Sequence, residues 1–247
     1  MRKVFQALSI VGAMLIGALP TQAAVITFDQ GLNTSFAPSV PFLTHGDVLH
    51  QGDYFVSTVS TKAGAAPGDL VGALVDSSDV SNVCLGLVCP TNNSSRFMAA
   101  LNDGLPWLGR LDGGVFQLNS FDASFIAAEG DVVPPISLVL RVYGFTALAG
   151  AFFEDFLLPG PVNGGYSFQT FQTHGSLAGL DVVEVDFYGY ACNSTGSCSR
   201  ANNKAQFALD NINLINNNQV PEPGSLALVG VAFAALTGRR LRRAVKA

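Results

Sequence analysis

The chain has little charge and very few basic residues. Of its 247 residues, 13% are Asp, Glu, Lys or Arg, and Lys and Arg together number 13. Residues 24–219 hold only six of these basic residues but 17 of the 18 acidic ones, which gives that segment a net charge of about −11. Nucleic-acid binding normally depends on Lys and Arg contacts to phosphate. The composition therefore predicts that nucleic acid is not a partner, and it fits an acidic, soluble surface.

Common catalytic motifs are also missing. The sequence contains no G-x-S-x-G, H-E-x-x-H, G-x-x-x-x-G-K-[ST] or G-x-G-x-x-G pattern. Glu154 and Asp155 are candidate glycosidase carboxylates, but neighbouring residues in a strand point to opposite faces, so we interpret them as a turn. His45 and His50, with a nearby aspartate, are a candidate metal set, which we interpret as a turn with two exposed imidazoles. We predict that the protein is not an enzyme.

Helical periodicity is nearly absent from the body of the chain, where the best helix candidate is residues 95–101. Apolar and polar residues instead alternate over 136–143 and 183–188, which is the pattern of half-buried strands. Further predicted strands are 25–29, 53–60, 115–119, 121–126, 150–156, 166–171 and 204–214. Gly, Pro, Asn and Asp clusters separate them. This pattern predicts an all-β fold, an antiparallel jelly-roll-like β-sandwich.

In two of the predicted strand regions the apolar residues switch between even and odd positions partway along the strand, which is a change of parity. Phe116 and Leu118 share one parity, whereas Phe121 and Phe125 share the other, and a similar change falls at Asp210 and Asn211 in the last strand. A change of parity without loss of strand character indicates a β-bulge or a kink.

The N-terminal segment has the layout of a signal peptide. Arg2 and Lys3 precede an apolar run over 7–19, and Pro20 ends that run before Ala23, a small residue suited to signal peptidase. We predict an N-terminal signal helix, cleavage after Ala23 and export of the chain. Residues 24–219 then form the β-sandwich domain.

The four cysteines form two close pairs, Cys84 with Cys89 and Cys192 with Cys198. In an exported protein such pairs predict local disulfides. A zinc site with four cysteine ligands is the alternative, but oxidation competes for the thiols in this compartment.

The C-terminal segment has three features in a fixed order. Pro221, Glu222 and Pro223 precede a short apolar run over 226–236, and four arginines follow at positions 239, 240, 242 and 243. A helix over 225–238 spans only ~21 Å, against a hydrocarbon core of ~30 Å, so it would be a marginal transmembrane anchor. The arginines would hold its end at the cytoplasmic face. An ordinary C-terminal anchor and a buried core helix are the alternatives.

In this order the three features resemble the PEP-CTERM sorting signal of Gram-negative bacteria that make exopolysaccharides. The resemblance implies that a membrane-embedded exosortase recognises Pro221, Glu222 and Pro223 and removes the tail. Residues 220–247 would then be a sorting signal with a short transmembrane helix, which anchors the protein transiently in the inner membrane before it reaches the cell surface or extracellular matrix.

The body contains segments that resemble those of uncharacterised exported PEP-CTERM proteins. They are Ile26-Thr-Phe-Asp29, Phe116-Gln-Leu-Asn-Ser-Phe-Asp-Ala, Val139-Leu-Arg-Val-Tyr-Gly144 and Phe207-Ala-Leu-Asp-Asn-Ile212. Those proteins in turn look like galactose-binding or carbohydrate-binding-module sandwiches. In such sandwiches a structural calcium often ties the first strand to the last, which implies Asp29 and Asp210 as candidate ligands. The alternative is a turn at Asp29 and a hydrogen-bonded bulge at Asp210.

Exposed aromatic residues are the candidates for sugar binding, because the apolar face of a sugar matches an aromatic ring. They are Trp107, in a segment that we predict to be a loop, and Tyr188 and Tyr190 near the second cysteine pair. A Trp that plugs one end of the sandwich is the alternative for Trp107.

The sequence therefore predicts an exported, exosortase-processed surface or extracellular-matrix protein, associated with exopolysaccharide or biofilm and without evident catalysis. A carbohydrate-binding module that binds a polysaccharide is the alternative. Signal peptidase and exosortase are the expected partners during export, with extracellular polysaccharide as a further candidate.

The sorting signal makes a direct prediction about the mature protein. Intact-mass analysis of protein from the native host should show a species that lacks residues 1–23 and the basic tail. Replacing Glu222 with Ala should block processing and leave the protein in the inner membrane. A mature species that retains residues 239–246 would contradict the prediction.

Overall fold

Alternation of apolar and polar residues builds two facing antiparallel sheets. The computed structural model describes residues 22–29, 33–34, 41–131, 133–148, 150–200 and 203–216. The predicted signal helix and the sorting helix lie outside these residues. A compact unit that spans Ala23–Asn217 contains the sandwich.

Nearly all regular structure in these residues is strand, and a short 3-10 helix covers Val80–Asn82. The strands are β1 (Gln22–Ile26), β2 (Asn33–Thr34), β3 (Phe42–Thr44), β4 (Val48–Gln51), β5 (Tyr54–Ser60), β6 (Leu70–Asp76), β7 (Leu87–Val88), β8 (Arg96–Ala100), β9 (Gly104–Arg110), β10 (Gln117–Ala128), β11 (Ile136–Phe145), β12 (Ala151–Pro159), β13 (Gln169–Gln172), β14 (Glu184–Cys192), β15 (Cys198–Ser199) and β16 (Gln206–Asn216).

The strands form two sheets, which we call sheet A and sheet B. Sheet A has the order β13-β10-β16-β8-β6-β3, with β1 also paired to β16 and β7 paired to β10. Sheet B has the order β12-β11-β14-β9-β5-β4-β2, with β15 paired to β14. Neighbouring strands run antiparallel, as in the long ladders between β10 and β16 and between β11 and β14. The predicted antiparallel β-sandwich is confirmed.

Aromatic rings join the two sheets at the centre of the core. Phe121 of sheet A lies edge-on to Phe156 and Phe187 of sheet B, with ring centroids 5.0 and 5.4 Å apart. Phe121 and Phe187 are almost completely buried. Edge-to-face packing suits aromatic rings because the positive edge of one ring meets the negative face of the other. These contacts fix how the inner faces of the sheets meet.

A second apolar cluster covers the outer face of sheet A. Its buried members are Ala73, Val75, Val83, Cys89, Phe97, Ala99, Leu101, Ile126 and Ala208. The segment that contains the 3-10 helix and the first disulfide supplies Val83 and Cys89, and it packs onto strands β6, β8, β10 and β16. Sheet A is therefore buried on both faces where this segment lies.

This second cluster explains why the helix prediction for residues 95–101 is wrong. Phe97 and Ala99 face the second cluster, whereas Met98 and Ala100 face the core between the sheets. The last four of the five residues of β8 are buried, so they form a continuous apolar run without alternation. A strand buried on both faces lacks the period of two that identifies a half-buried strand.

The predicted changes of parity correspond to real bulges between β10 and β16. Ser120 pairs with Asn213 and Asp122 pairs with Asp210, so β16 has one extra residue between these pairs. Asn211 lies there with φ of 47°, a left-handed conformation that Asn adopts more readily than most residues. The neighbouring register shift gives β10 the extra residue, so the two bulges cancel and both strands continue in register.

Both predicted local disulfides are present in the structure. Cys84 is bonded to Cys89, and Cys192 is bonded to Cys198. The described residues contain no free cysteine, which removes the zinc alternative. The first bridge closes the loop over the second apolar cluster, whereas the second bridge closes a surface hairpin between β14 and β15.

The different surroundings of the two disulfides predict unequal effects on stability. Closing each short loop stabilises the fold by ~2–3 kcal/mol on the chain-entropy model. The Cys84→Ala/Cys89→Ala variant should lose more, because Cys89 is buried and its loop covers the second cluster. The Cys192→Ala/Cys198→Ala variant serves as the matched control. Thermal unfolding should show the larger fall in Tm for the first variant, and equal falls would contradict this assignment.

Candidate functional site

The outer face of sheet B carries a row of aromatic side chains. In each strand, alternate residues fill the core between the sheets, and the residues between them point outward. The outward aromatic residues are Phe55, Trp107, Tyr143, Phe145, Phe153, Tyr188 and Tyr190. We call this surface the aromatic face. Its rings are half-buried or, for Phe153, 48% exposed.

Trp107 lies near the middle of the aromatic face, in strand β9. It is paired across the sheet with Asp186 of β14 on one side and Ser57 of β5 on the other. Its indole lies edge-on to the ring of Phe55, with centroids 4.9 Å apart. The prediction of a loop at this position is wrong, and the alternative of an end plug is not what the structure shows.

The segment around Trp107 looks like a loop in sequence because it contains glycines, but the structure needs those glycines for close packing. A side chain on Gly104 would collide with the carbonyl oxygen of Val71. A Cβ on Gly109 would lie 2.9 Å from the ring of Phe55, so this glycine leaves room for that ring on the aromatic face. The glycines of β9 therefore serve strand packing and the aromatic face, not a turn.

Tyr188 and Tyr190 lie on the same face as Trp107, so the structure brings the three predicted aromatic candidates together. The ring of Tyr143 lies 5.3 Å from that of Tyr188. The guanidinium of Arg200 lies 4.4 Å above the ring of Tyr188. The Arg200 guanidinium also donates a 2.8 Å hydrogen bond to the hydroxyl of Thr61. The second disulfide ends β14 just beyond Tyr190 and so fixes this end of the face.

Arg141, the cross-strand partner of Tyr188, forms a bidentate ion pair with Asp155 on the same face. Both N–H···O distances are 2.7 Å, and the guanidinium lies 4.3 Å above the ring of Phe153. The hydrogen bonds from Arg141 to Asp155 raise the pKa of Arg141 above its ordinary value. This pair presents a planar guanidinium and a carboxylate beside aromatic rings.

Glu154 points to the opposite side of β12 from Asp155, as neighbouring strand residues must. Its carboxylate accepts hydrogen bonds from the backbone N–H groups of His174 and Leu177, each at 3.0 Å. The interpretation of Glu154 and Asp155 as a turn is therefore wrong, since both lie within β12. Each carboxylate already holds another part of the structure, and they do not face a common site.

Asp186 is the most unusual ionisable group on the aromatic face. Its side chain is 6% exposed, and its Oδ1 atom has no hydrogen-bond partner among the described residues. Its pKa is raised from an ordinary value of 3.8 to about 7, mainly by burial and also by the charge of Glu184 and a hydrogen bond with that residue. A hydrogen bond with Tyr188 lowers the pKa of Asp186 and offsets part of this rise. The folded protein therefore holds a carboxylate that is costly to ionise.

β1 pairs with β16, and Asp29, which follows β1, is near enough for its charge to act on Asp210. The carboxylate of Asp29 accepts a 2.7 Å hydrogen bond from the backbone N–H of Arg96. Asp210 is completely buried on the outer side of sheet A. Its carboxylate accepts hydrogen bonds from Asn93 Nδ2 at 2.9 Å, Ser95 Oγ at 2.8 Å and the backbone N–H of Asn211 at 2.8 Å. Burial is the main cause of the raised pKa of Asp210, and the charge of Asp29 adds to it.

The oxygen atoms around Asp210 are of the kind that a hard cation such as calcium prefers as ligands. The charge of Asp29 acts on Asp210, and no Lys or Arg among the described residues stabilises the Asp210 charge. The set is small, because the described residues contain no group of three His, Cys, Asp or Glu side chains placed to hold a metal. A cation here would draw its remaining oxygen ligands from amide and backbone groups. The hydrogen-bonded bulge alternative is also present in the structure.

The candidate histidines at positions 45 and 50 do not form a metal set in the described part of the chain. His45 lies in the turn after β3, and its Nδ1 accepts a 2.8 Å hydrogen bond from the backbone N–H of Ser60. His50 lies in β4 opposite Phe55. Both are half-buried, so the prediction of two exposed imidazoles in one turn is wrong.

Sequence reasoning missed several members of the aromatic face. Tyr143, Arg141 and Asp186 lie on predicted strands at outward positions, so the alternating pattern contained the signal. Which strands are neighbours was not predictable from that pattern, and the contact of Arg200 with Tyr188 depends on the hairpin closed by the second disulfide.

Comparison with known families identifies the C-terminal segment. The profile of the PEP-CTERM protein-sorting motif matches residues 219–243. The chain carries a PEP-CTERM sorting signal. The motif marks it as an exported protein that is sorted at the membrane by an exosortase. These residues lie outside the described part of the structure. Within that part, no helix has the length and apolar character needed to cross a membrane.

No curated protein sequence matches this chain at a significant level. A DUF4465 family protein from Bacteroides caccae has a similar structure, with 14% identity, coverage of 79% of this chain and 100% of that chain, and a TM-score of 0.47. The xylan-binding CBM22-1 domain of Paenibacillus barcinonensis Xyn10C has 10% identity, coverage of 80% and 96%, and a TM-score of 0.31. The module TmCBM61, solved with β-1,4-galactotriose, has 8% identity, coverage of 67% and 88%, and a TM-score of 0.31.

The approach of Asp29 to Asp210 predicts a dependence of stability on calcium. A cation that binds only the folded state stabilises it by ~2.7 kcal/mol at a hundredfold excess over Kd. The Tm should rise with added calcium and fall with chelator. Asp210→Asn should abolish this dependence and keep the β-type circular dichroism, whereas Asp76→Asn, which removes an exposed acid from β6, should retain it. The same Tm in chelator and in millimolar calcium would exclude the cation.

Proposed function

We propose that this protein is an exported surface or extracellular-matrix protein that binds a polysaccharide through the aromatic face of sheet B and performs no catalysis. The observation that carries the proposal is the row of seven outward aromatic side chains on one sheet. A contiguous apolar patch on the surface of a soluble protein commonly marks a binding site.

The chemistry of the aromatic face suits a sugar chain. Each ring offers an apolar surface to the C–H face of a pyranose, and Trp and Tyr also offer a polar atom. The ion pair of Arg141 with Asp155 lies beside these rings, and its remaining N–H groups and carboxylate lone pairs can form hydrogen bonds with sugar hydroxyl groups. A surface that combines apolar rings with a few fixed polar groups is typical of ligand sites.

The extent of the face favours a polymer over a single sugar. Its aromatic residues lie on five neighbouring strands, from β12 to β5. With strands ~4.8 Å apart, they extend over ~19 Å across the sheet. That distance accommodates several sugar rings side by side along one chain.

The sorting signal supports the choice of ligand. The PEP-CTERM motif directs the protein out of the cell. The resemblance stated above associates this signal with bacteria that make exopolysaccharides, so a secreted polysaccharide is present where the protein arrives. We therefore expect a role in the matrix of a biofilm, with signal peptidase and exosortase as partners only during export.

The positions of the acidic residues favour binding over hydrolysis. A glycosidase needs two carboxyl groups that flank one bond. Glu154 is held on the inner side of β12 by two backbone N–H groups, and Asp155 is held on the outer side by Arg141. These two acids cannot act on the same bond.

Removing single rings tests the proposal. Trp107→Ala and Tyr188→Ala should each weaken binding to the host's exopolysaccharide by roughly tenfold or more, because truncating a central aromatic contact has effects of this size. Phe152→Ala is the matched control, since Phe152 is 42% exposed but does not lie on the aromatic face. Affinity electrophoresis and calorimetry measure the change. Equal binding by all variants, or no binding of any glycan by the wild-type chain, would refute the proposal.

A further inference from the structure

Asp186 lies at the centre of a frame of side chains on the aromatic face. Trp107 of β9 and Tyr143 of β11 are its partners on the two neighbouring strands. Glu184 and Tyr188 are the next outward residues along β14 itself. Three of these four neighbours are aromatic and the fourth is acidic. The Oδ1 atom of Asp186 is buried and has no hydrogen-bond partner among the described residues.

The negative charge in this frame is not balanced by the cationic groups nearby. Arg141 of β11 is engaged by Asp155 through two hydrogen bonds. The guanidinium of Arg200 lies over the ring of Tyr188 and donates a hydrogen bond to the hydroxyl of Thr61. Neither arginine contributes to the charge balance of Asp186, for which Glu184 and Tyr188 are the ionisable neighbours. Its cross-strand partners on β9 and β11 are the uncharged Trp107 and Tyr143.

We propose that the aromatic face selects a polysaccharide that carries protonated amino groups, with Asp186 and Glu184 accepting the ammonium group inside the frame of Trp107, Tyr143 and Tyr188. This inference rests on the proposed function and specifies its ligand class. Asp186 and Glu184 are then specificity-determining residues of that site.

Two kinds of attraction converge on an ammonium group in this position. The ring faces of Trp and Tyr attract cations through their quadrupoles, and the attraction grows when the site excludes water. With an ammonium group a carboxylate forms a hydrogen bond in which both partners are charged, which adds a direct charge attraction that a neutral hydroxyl group does not offer. A glycan that carries carboxylates would meet the charge of Glu184 and Asp186 and would be repelled.

Protonation of Asp186 gives the interaction a defined pH dependence. Because the pKa of Asp186 in the folded protein is about 7, the carboxyl is largely neutral in mildly acidic solution. Binding of an ammonium-bearing glycan should therefore strengthen as the pH rises through 7, and it should weaken again where the amine itself loses its proton. A trimethylated amine keeps its charge, so its binding should not weaken at high pH.

Without ligand, the free energy of unfolding should fall as the pH rises, whereas binding of the ammonium group strengthens. The pKa of Asp186 is higher in the folded state than its ordinary value of 3.8. Ionisation is therefore costlier in the folded state, and the free energy of unfolding should fall as the pH rises from about 4 to about 7. A bound ammonium group would offset this loss.

The test compares two probes that differ only at the nitrogen atom. Short oligomers of glucosamine and of N-acetylglucosamine are titrated by calorimetry into the full chain between mildly acidic and mildly alkaline pH. The glucosamine oligomer should bind roughly tenfold or more tightly than the N-acetylglucosamine oligomer near pH 7, where Asp186 is partly ionised and part of the amine still carries its proton. Asp186→Asn should remove this preference and its pH dependence, and Glu184→Gln should reduce it. Asp76→Asn, which removes an exposed acid from sheet A, should preserve both.

The outcomes separate this inference from the proposed function. Binding of both oligomers with equal affinity at all pH values would overturn the amine specificity and leave polysaccharide binding intact. Failure of both oligomers and of the host's exopolysaccharide to bind would overturn both proposals. If Asp186→Asn does not fold, Glu184→Gln and the comparison of the two oligomers on the wild-type chain still decide the question.

Discussion

Pairing of the last strand, β16, is the constraint on which the rest of the sandwich depends. In sheet A this strand lies between β10 and β8, and β1 also pairs with it. Without β16, sheet A would separate into one part around β10 and another around β8. Its inward residues Phe207, Leu209, Ile212 and Leu214 are all buried in the core between the sheets. Its partner β10 carries Phe121, which packs against Phe156 and Phe187 of sheet B.

The two sheets use their outer faces differently. Sheet A is covered on its outer side by a second apolar cluster, which the first disulfide holds in place. Sheet B presents rings, two arginines and three acidic side chains on its outer side. One disulfide therefore stabilises a cover over sheet A, and the other closes a hairpin beside the aromatic face. Under the proposed function, one side of the sandwich supports the fold and the other binds the polysaccharide.

Sequence pattern predicted the half-buried strands and the bulges, because one-sided burial produces an alternation that can be read residue by residue. It failed where burial differs from that rule. β8 is buried on both sides and so lacks alternation, and β9 contains Gly and Pro that serve close packing between strands. The surroundings of Asp186 could not be predicted either. Trp107, Tyr143 and Glu184 lie on three different strands, and the sequence pattern does not say which strands are neighbours in the sheet.

The position of β16 has a mechanical consequence. The strand ends at Asn216, and the sorting motif begins at residue 219, so a pull on the C-terminal segment acts directly along this strand. Hydrogen bonds in an antiparallel ladder lie perpendicular to the strands. Tension along β16 therefore loads its ladders with β10 and β8 in shear, with many bonds sharing the force at once. A domain held to a surface by this end would resist drag from a bound polymer, because the strand under load is the one most firmly embedded in the sheet.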